Sequence, residues 1–192
     1  MNIQNKNELR QKYRLVRNTF GEEFVKEASE LACQNLAKSE AFVNADTVLL
    51  YYPIKNEISP LPLFELCLKM GKEIAFPVCQ NETSTLEFRK ILSLDELSPS
   101  CFGILEPNSS CKIANPNKNT LCLVPAIAFS KSGHRLGYGK GFYDRFLNDF
   151  EGVSTGFSYS ALVLDTLPHK EHDIPLNMIV TESEVMYFAK KN

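Results

Sequence analysis

Two rhythms of apolar residues run along the chain. Leu9, Tyr13, Val16 and Phe20 recur at i, i+4, i+7 and i+11, a single stripe on a helix predicted over residues 6–18, and Asn5 and Glu8 have the spacing of a capping box at its start. A second helix fits residues 22–38, with Phe24, Ala28, Leu31 and Leu36 on its inward face. Residues 47–52 form a nearly unbroken apolar run stopped by Pro53, the pattern of a buried strand. Residues 60–70 return to the helical rhythm, with prolines confined to the first turn and Gly71 as the cap. Strands follow at 73–78, where Pro77 predicts that pairing ends early, and at 86–91. The stretch 93–119 carries Pro99, Pro107 and Pro116 among Ser and Asn, so it reads as loop and short elements, with 106–119 as an exposed insertion. Residues 120–124 are a buried strand; a long glycine-rich loop, a short helix through 143–148, and strands at 152–159, 161–165 and 178–181 complete the chain. Strands alternating with helices predict an α/β fold: one three-layer α/β/α domain over residues 1–192 around a mostly parallel, Rossmann-like sheet.

Composition narrows the function more than the fold. The 192 residues carry 21 Lys and Arg against 23 Asp and Glu, a formal net charge of −2. A dedicated nucleic-acid or membrane-surface binder needs an extended basic field, which this balance disfavours. A chain of this length buries about 70% of the surface its unfolded form exposes, so it needs neither disulfides nor a structural metal. The polar start MNIQNKNELRQKYR has no apolar signal region, and no apolar run approaches the ~20 residues of a membrane-spanning helix. The six cysteines, at 33, 67, 79, 101, 111 and 122, include no C-x₂-C pair. These features predict a cytoplasmic monomer with reduced thiols and small-molecule ligands.

The chemistry concentrates in residues 124–147. This stretch leaves the carboxyl end of a strand, where open α/β sheets bind ligands, and it holds four of the nine glycines: 133, 137, 139 and 141. Glycines so spaced let backbone N–H groups approach an anion closely. Residues 131–145 carry a formal charge of +3, and residues 6–17 carry +4. A polyphosphate ligand accounts for both glycines and charge; a tight turn with solvated charges is the plainer alternative. The loop is not a Walker A motif, because Gly141 follows Lys140 where a hydroxyl is needed, and its G-x-G-x-G spacing is not the dinucleotide fingerprint.

Arg135-Leu-Gly-Tyr-Gly-Lys-Gly-Phe-Tyr-Asp-Arg145 resembles the signature of the 5-formyltetrahydrofolate cyclo-ligase family. Further blocks are similar in the same order: Lys6-x₃-Arg10, Tyr52-x₄-Glu57-Ile58, Phe102-Gly-Ile-Leu-Glu-Pro107 and His172-Asp-Ile-Pro-Leu-x-Met-Ile-Val-Thr-Glu182. The resemblance spans nearly the whole chain. It implies an ATP- and Mg²⁺-dependent C–N ligase that closes 5-formyltetrahydrofolate to 5,10-methenyltetrahydrofolate with release of ADP and phosphate. A non-catalytic nucleotide- or folate-binding regulator and a sugar-phosphate isomerase-like enzyme are the competing readings.

The resemblance also implies roles. Lys6, Arg10, Arg135, Gly137, Gly139, Lys140, Gly141, Phe142 and Tyr143 fall at ATP, with Lys140, Arg135 and Tyr143 closest to catalysis. Asp144 and Asp173 fall at Mg²⁺, though a helix-end charge and a turn carboxylate beside Pro175 are the ordinary readings of those two. Glu57 is the candidate anchor for the aminopyrimidinone edge of folate, since a carboxylate accepts paired N–H donors; an exposed loop charge is its ordinary reading. Tyr52, Tyr138 and Phe142, with Gly139, Lys140 and Gly141, line the folate slot; the likeness is looser at Tyr138 than at its neighbours. Asn177 stands where the family pattern often has Asp. Arg14 and Arg17 extend the basic stripe of the first helix and are expected on a solvated face. His169 and His172, three apart in a proline-flanked loop, do not make a zinc pattern.

Overall fold

A computed structural model describes residues 5–100, 103–170 and 173–188. Helix α1 (Lys6–Asn18) starts where Asn5 caps it, its side chain accepting the Asn7 N–H at 3.0 Å. Helices α2 (Glu22–Ala37) and α3 (Glu40–Val43) follow, then strand β1 (Thr47–Leu49), helix α4 (Pro62–Lys69) and the hairpin of β2 (Glu73–Gln80) with β3 (Thr85–Lys90). A short ribbon, β4 (Leu97–Pro99) with β5 (Leu105–Pro107), leads to β6 (Thr120–Val124). Beyond β6 come β7 (Ala128–Ser130), β8 (Arg135–Leu136), helix α5 (Phe142–Asn148), β9 (Val153–Phe157), β10 (Val163–Leu164), β11 (Met178–Val180) and β12 (Val185–Tyr187).

Seven strands form one sheet in the order β12-β11-β9-β6-β1-β2-β3. The five central strands pair in parallel, and the two edge strands are antiparallel. The pleat divides each central strand between two cores. Val48, Leu121, Leu123, Met178 and Val180 pack with Ala28, Ala32 and Leu36 of α2 and Leu63 and Cys67 of α4. Leu49, Cys122, Val124 and Ile179 pack on the other face with Phe129 and with Leu147 of α5. Burial on both faces explains why these strands read as continuous apolar runs. The expected α/β class and mostly parallel sheet flanked by helices are what the fold contains.

Several local expectations shift. β1 stops at Leu49, three residues short of the run, because its neighbours β2 and β6 pair only with residues 47–49. Pro77 does not end β2, which continues to Gln80. It lies beyond Ala75, the last residue paired with β1, where β2 needs only its antiparallel partner β3. Residues 160–162 form a single 3-10 turn, which leaves two residues of the predicted 161–165 strand, β10. On α2, Phe24 and Leu31 are more than 40% exposed; the buried face is Ala28, Ser29, Ala32, Cys33 and Leu36, small residues that let the helix sit close to the sheet. Phe24 instead stacks on Tyr159, with ring centroids 5.6 Å apart. Most of 106–119 is exposed, but Cys111 and Ala114 pin it to the core, and Ala114 donates its N–H to the Phe88 carbonyl at 2.8 Å. Cys33, Cys67, Cys111 and Cys122 are free thiols; Cys101 and Phe102 lie outside the described residues.

Gly156 of β9 has no room for a side chain: a Cβ would stand 2.6 Å from Phe129 Cε1 and 3.0 Å from Ile179 Cγ1. Gly156→Ala is therefore expected to lower the free energy of unfolding by ~1–3 kcal/mol, the usual cost of overpacking. Urea titration checks this as a fall in midpoint at unchanged slope. An unshifted midpoint would mean that the Phe129 ring relocates freely.

Candidate active site

The chain runs from β1 to β2 in one direction across the sheet and from β6 through β9 to β11 in the other, so its direction reverses between β1 and β6. Open α/β sheets hold ligands beyond the strand carboxyl ends at such a point. Here the segments following β1, β6 and β9 bring Tyr51, Glu57, Ile58, Pro125, Ala126, Ser158 and Tyr159 around a cavity of about 10 Å³. A wider groove of about 630 Å³ adjoins it, lined by Asn7, Arg10, Gln11, Arg14 and Leu15 of α1 and by Tyr138 and Gly139 of the glycine-rich loop. Arg17 lines the inner cavity, and Tyr138 stands between the two spaces.

One half of the site is built for anions. Arg10 Nε donates to the Gly137 carbonyl at 2.9 Å and so ties α1 to the loop. Gly139 has φ of +99°, and a Cβ there would stand 3.3 Å from the Arg10 guanidinium; both facts require glycine. Arg135, buried on β8, pairs with Asp144 Oδ1 of α5 at 2.5 Å and donates to the Ile174 carbonyl at 2.8 Å. Lys6 Nζ meets Asp173 Oδ2 at 2.5 Å, and Asp173 also accepts the Lys170 N–H at 2.6 Å. Burial lowers the Arg135 pKa, while the charges of Asp144 and Asp173 oppose that shift. Lys6, Arg10, Arg135, Asp144 and Asp173, spread over 168 positions of sequence, thus converge.

The other half centres on Glu57, which is 5% exposed. Its Oε2 accepts the Ile54 N–H at 3.0 Å. Its Oε1 lies 3.4 Å from Arg17 Nη1 and accepts the Tyr138 hydroxyl, which in turn accepts Arg17 Nη1 at 3.0 Å. Burial raises the Glu57 pKa, and Tyr138, the Ile54 N–H and Arg17 pull against it. Burial also disfavours the Arg17 charge, but Tyr138 and Glu57 outweigh it and hold the guanidinium above its ordinary value. Tyr138 is shifted upward by burial and by Glu57.

Arg17 overturns its sequence-based placement. It is 3% exposed, not solvated, because Glu57 and Tyr138 compensate its charge within the fold. The signal was in the spacing: at about 100° per residue, Arg17 lies only about 20° around the helix from Lys6, while Arg14 lies about 80° away. Arg14 is indeed exposed, with its guanidinium 5.5 Å from the Tyr138 ring centroid. Tyr51, not Tyr52, lines the Glu57 cavity, its hydroxyl donating to the Ile58 carbonyl at 2.6 Å; Tyr52 packs half-buried against the core under α2. Lys140 is exposed at the loop tip, and Gly141 and Phe142 open α5 beside it. The Tyr143 hydroxyl is buried without a hydrogen-bond partner among the described residues. Burial raises its pKa, and the ring packs against the core that contains Cys122 and Leu147. His172 lies outside the described residues; His169 stacks on His134 with centroids 3.8 Å apart. No group of three His, Cys, Asp or Glu side chains is placed to hold a metal among the described residues.

Fold and site together define an α/β enzyme scaffold that faces a cationic, anion-binding cluster toward a buried carboxylate. The model of the 5-formyltetrahydrofolate cyclo-ligase family matches residues 2–182, so the chain belongs to that family of ligases. It is similar to the 5-formyltetrahydrofolate cyclo-ligases of Escherichia coli K12, 30% identical over 83% of this chain and 90% of the relative, and of Haemophilus influenzae, 29% identical over 92% and 97%. Among solved structures, the 5,10-methenyltetrahydrofolate synthetase of Aquifex aeolicus superposes with a TM-score of 0.84 at 35% identity, covering 97% of this chain and 94% of that one. The Mycoplasma pneumoniae synthetase gives 0.75 at 25% identity, over 93% and 99%.

Removing Arg17 strands a buried carboxylate among Tyr51, Tyr138, Tyr143 and Tyr159. Arg17→Met is expected to cost ~3–5 kcal/mol of stability at neutral pH. The loss raises the folded-state pKa of Glu57 further above its unfolded value, so the deficit is fullest above that folded pKa. It shrinks as the pH falls through it and the carboxyl takes up a proton. Urea unfolding of variant and parent across the acidic range measures this; a deficit independent of pH would assign it to lost packing instead.

Proposed function

We propose that this chain closes 5-formyltetrahydrofolate to 5,10-methenyltetrahydrofolate, using ATP and releasing ADP and phosphate. The observation that carries this reading is the convergence of the Lys6, Arg10 and Arg135 cluster with the Glu57 pocket on either side of the Tyr138–Tyr143 segment, in a chain of this family. The oxygen of an N-formyl group is a poor leaving group from its carbon. In the proposed route it attacks the γ-phosphorus of ATP, the bond to the bridging oxygen breaks, and ADP departs. N10 then attacks the formyl carbon, the C–O bond breaks, phosphate leaves, and N10 gives up its proton.

Phosphoryl transfer asks a protein chiefly for positioning and charge neutralisation. Lys6, Arg10 and Lys140 supply half-buried or exposed cations for the phosphates, and the backbone of Gly137, Gly139 and Gly141 allows close approach. Arg135 is fixed by its burial and stands as a rigid positive charge behind Asp144 and Asp173. Tyr143 contributes a hydroxyl with no hydrogen-bond partner among the described residues, which in this reading donates to a reacting oxygen. Glu57 orients the pterin, with Phe142 and Tyr138 along the approach.

Mg²⁺ fits the donor set. Asp144 and Asp173 are hard oxygen donors flanking Arg135, and this ion is commonly held by one or two carboxylates plus phosphate oxygens. Bound there, it would neutralise phosphate charge. We further propose that residues 1–192 act as one domain and as a cytoplasmic monomer. Among the described residues no helix is long and apolar enough to cross a membrane.

Purified protein given ATP, Mg²⁺ and 5-formyltetrahydrofolate is expected to release ADP only when the folate is present and to generate the near-ultraviolet absorbance of the methenyl product. Nucleotide binding without either would point to a regulator and sink the proposal. Asp144→Asn is expected to reduce kcat roughly 100-fold while keeping an acceptor for Arg135. Near-normal turnover would show that the metal role lies elsewhere.

A further inference from the structure

Three observations converge on Arg17. Its guanidinium is buried in the inner cavity beside Glu57, with Nη1 3.4 Å from Oε1. Its Nε is a buried donor with no hydrogen-bond partner among the described residues, an uncommon state for a charged group. And one oxygen atom, the Tyr138 hydroxyl, bridges the pair: it donates to the Glu57 carboxylate and accepts from Arg17 Nη1. The carboxylate takes donors only and the guanidinium takes acceptors only. Side by side they present an acceptor and then a donor, and the phenol satisfies both because a hydroxyl is donor and acceptor at once.

A 2-amino-4-oxopyrimidine edge offers the complementary order on a rigid ring: two adjacent N–H donors and then a carbonyl acceptor. We propose that Arg17 is a specificity-determining residue that works with Glu57 to read this edge, Glu57 accepting from the 2-amino and N3–H groups and Arg17 donating to the C4 carbonyl. The proposal deepens the folate-ligase reading and rests on it. Tyr138 holds the place of the ligand in the free protein. The inner cavity, at about 10 Å³, has no space for a bicyclic ring, and the Tyr138 hydroxyl occupies the hydrogen-bonding positions of the pair. The side chain must swing outward into the groove that it already lines, and Gly137 and Gly139 on either side of it lower the cost of that movement. Pro125, Ala126, Phe157 and Tyr159 then supply walls for a flat heterocycle. The unpartnered Nε gives the guanidinium donor capacity that the ion pair does not use.

The test is equilibrium binding, without ATP, of 5-formyltetrahydrofolate and of its 4-amino counterpart, in which an amine replaces the C4 oxygen. The parent protein is expected to prefer the 4-oxo compound by about tenfold or more, because the amine would point a donor at Arg17. Arg17→Gln, whose amide accepts as well as donates, is expected to bring the two affinities within about twofold. Arg17→Lys keeps a cationic donor and should retain the preference. An unchanged preference in Arg17→Gln overturns the proposal. Should Arg17→Gln fail to fold, Tyr138→Phe decides: loss of the hydroxyl removes the two bonds that anchor the ring at the pair, so it swings out at lower cost and 5-formyltetrahydrofolate is expected to bind about tenfold more tightly. Unchanged or weaker binding would overturn the proposal. Glu57→Gln separates the two levels: if it leaves 5-formyltetrahydrofolate binding intact, the folate-anchor reading itself fails. If it weakens binding while Arg17→Gln keeps the 4-oxo preference, only the role of Arg17 fails.

Discussion

A buried ion pair between Arg17 and Glu57 joins the parts of this molecule on which the site depends. Arg17 belongs to the last turn of α1, Glu57 to the segment after β1, and Tyr138, bonded to both, to the glycine-rich loop after β8. No two of these three elements are neighbours in the sheet. The coupling is costly to break because either charge alone would be left in a medium that solvates it poorly. Asn56 reinforces the join by donating to the Phe20 carbonyl at 3.0 Å, just past the end of α1. The helix is thereby held across the mouth of the sheet, and its amino-terminal turn brings Lys6 and Arg10 to Asp173 and Gly137.

That arrangement resolves the charge pattern of the chain. An overall balance of −2 conceals two basic segments, and the structure places them against each other along one groove. Repulsion between them is relieved where three of the cations each meet a carboxylate: Asp173 for Lys6, Asp144 for Arg135 and Glu57 for Arg17. The pairs differ in solvent access. Arg17 and Glu57 are sealed at 3% and 5% side-chain exposure, whereas Asp144 retains 30%. The sealed pair suits recognition of a neutral edge by hydrogen bonds, and the open pairs suit exchange of partners when phosphates arrive.

Much of this was legible in the chain. The central strands announced themselves because burial on both faces demands unbroken apolar runs, and the glycine loop did so because close backbone approach excludes side chains. Where the reading slipped, the deciding contact was distant in sequence. Arg14 and Arg17 look alike in a list of residues; only the segment carrying Glu57, forty positions away, separates the exposed one from the buried one. Tyr51 and Tyr52 could not be told apart because β1 ends at Leu49, and past that point the pleat no longer dictates which side chain turns inward. Phe24 and Leu31 matched a helical stripe, yet the sheet selected the neighbouring stripe of small residues because it permits closer packing.

The sequence by itself determined the main helices and central strands, the mostly parallel α/β class, the loop that approaches anions and the family. These follow from local periodicity, turn chemistry and motif spacing. Only the tertiary structure decided which charges face water and which face each other. Solvation of a guanidinium or carboxylate depends on what the rest of the chain places around it, and that is set when α1 closes over the carboxyl ends of β1, β6 and β9.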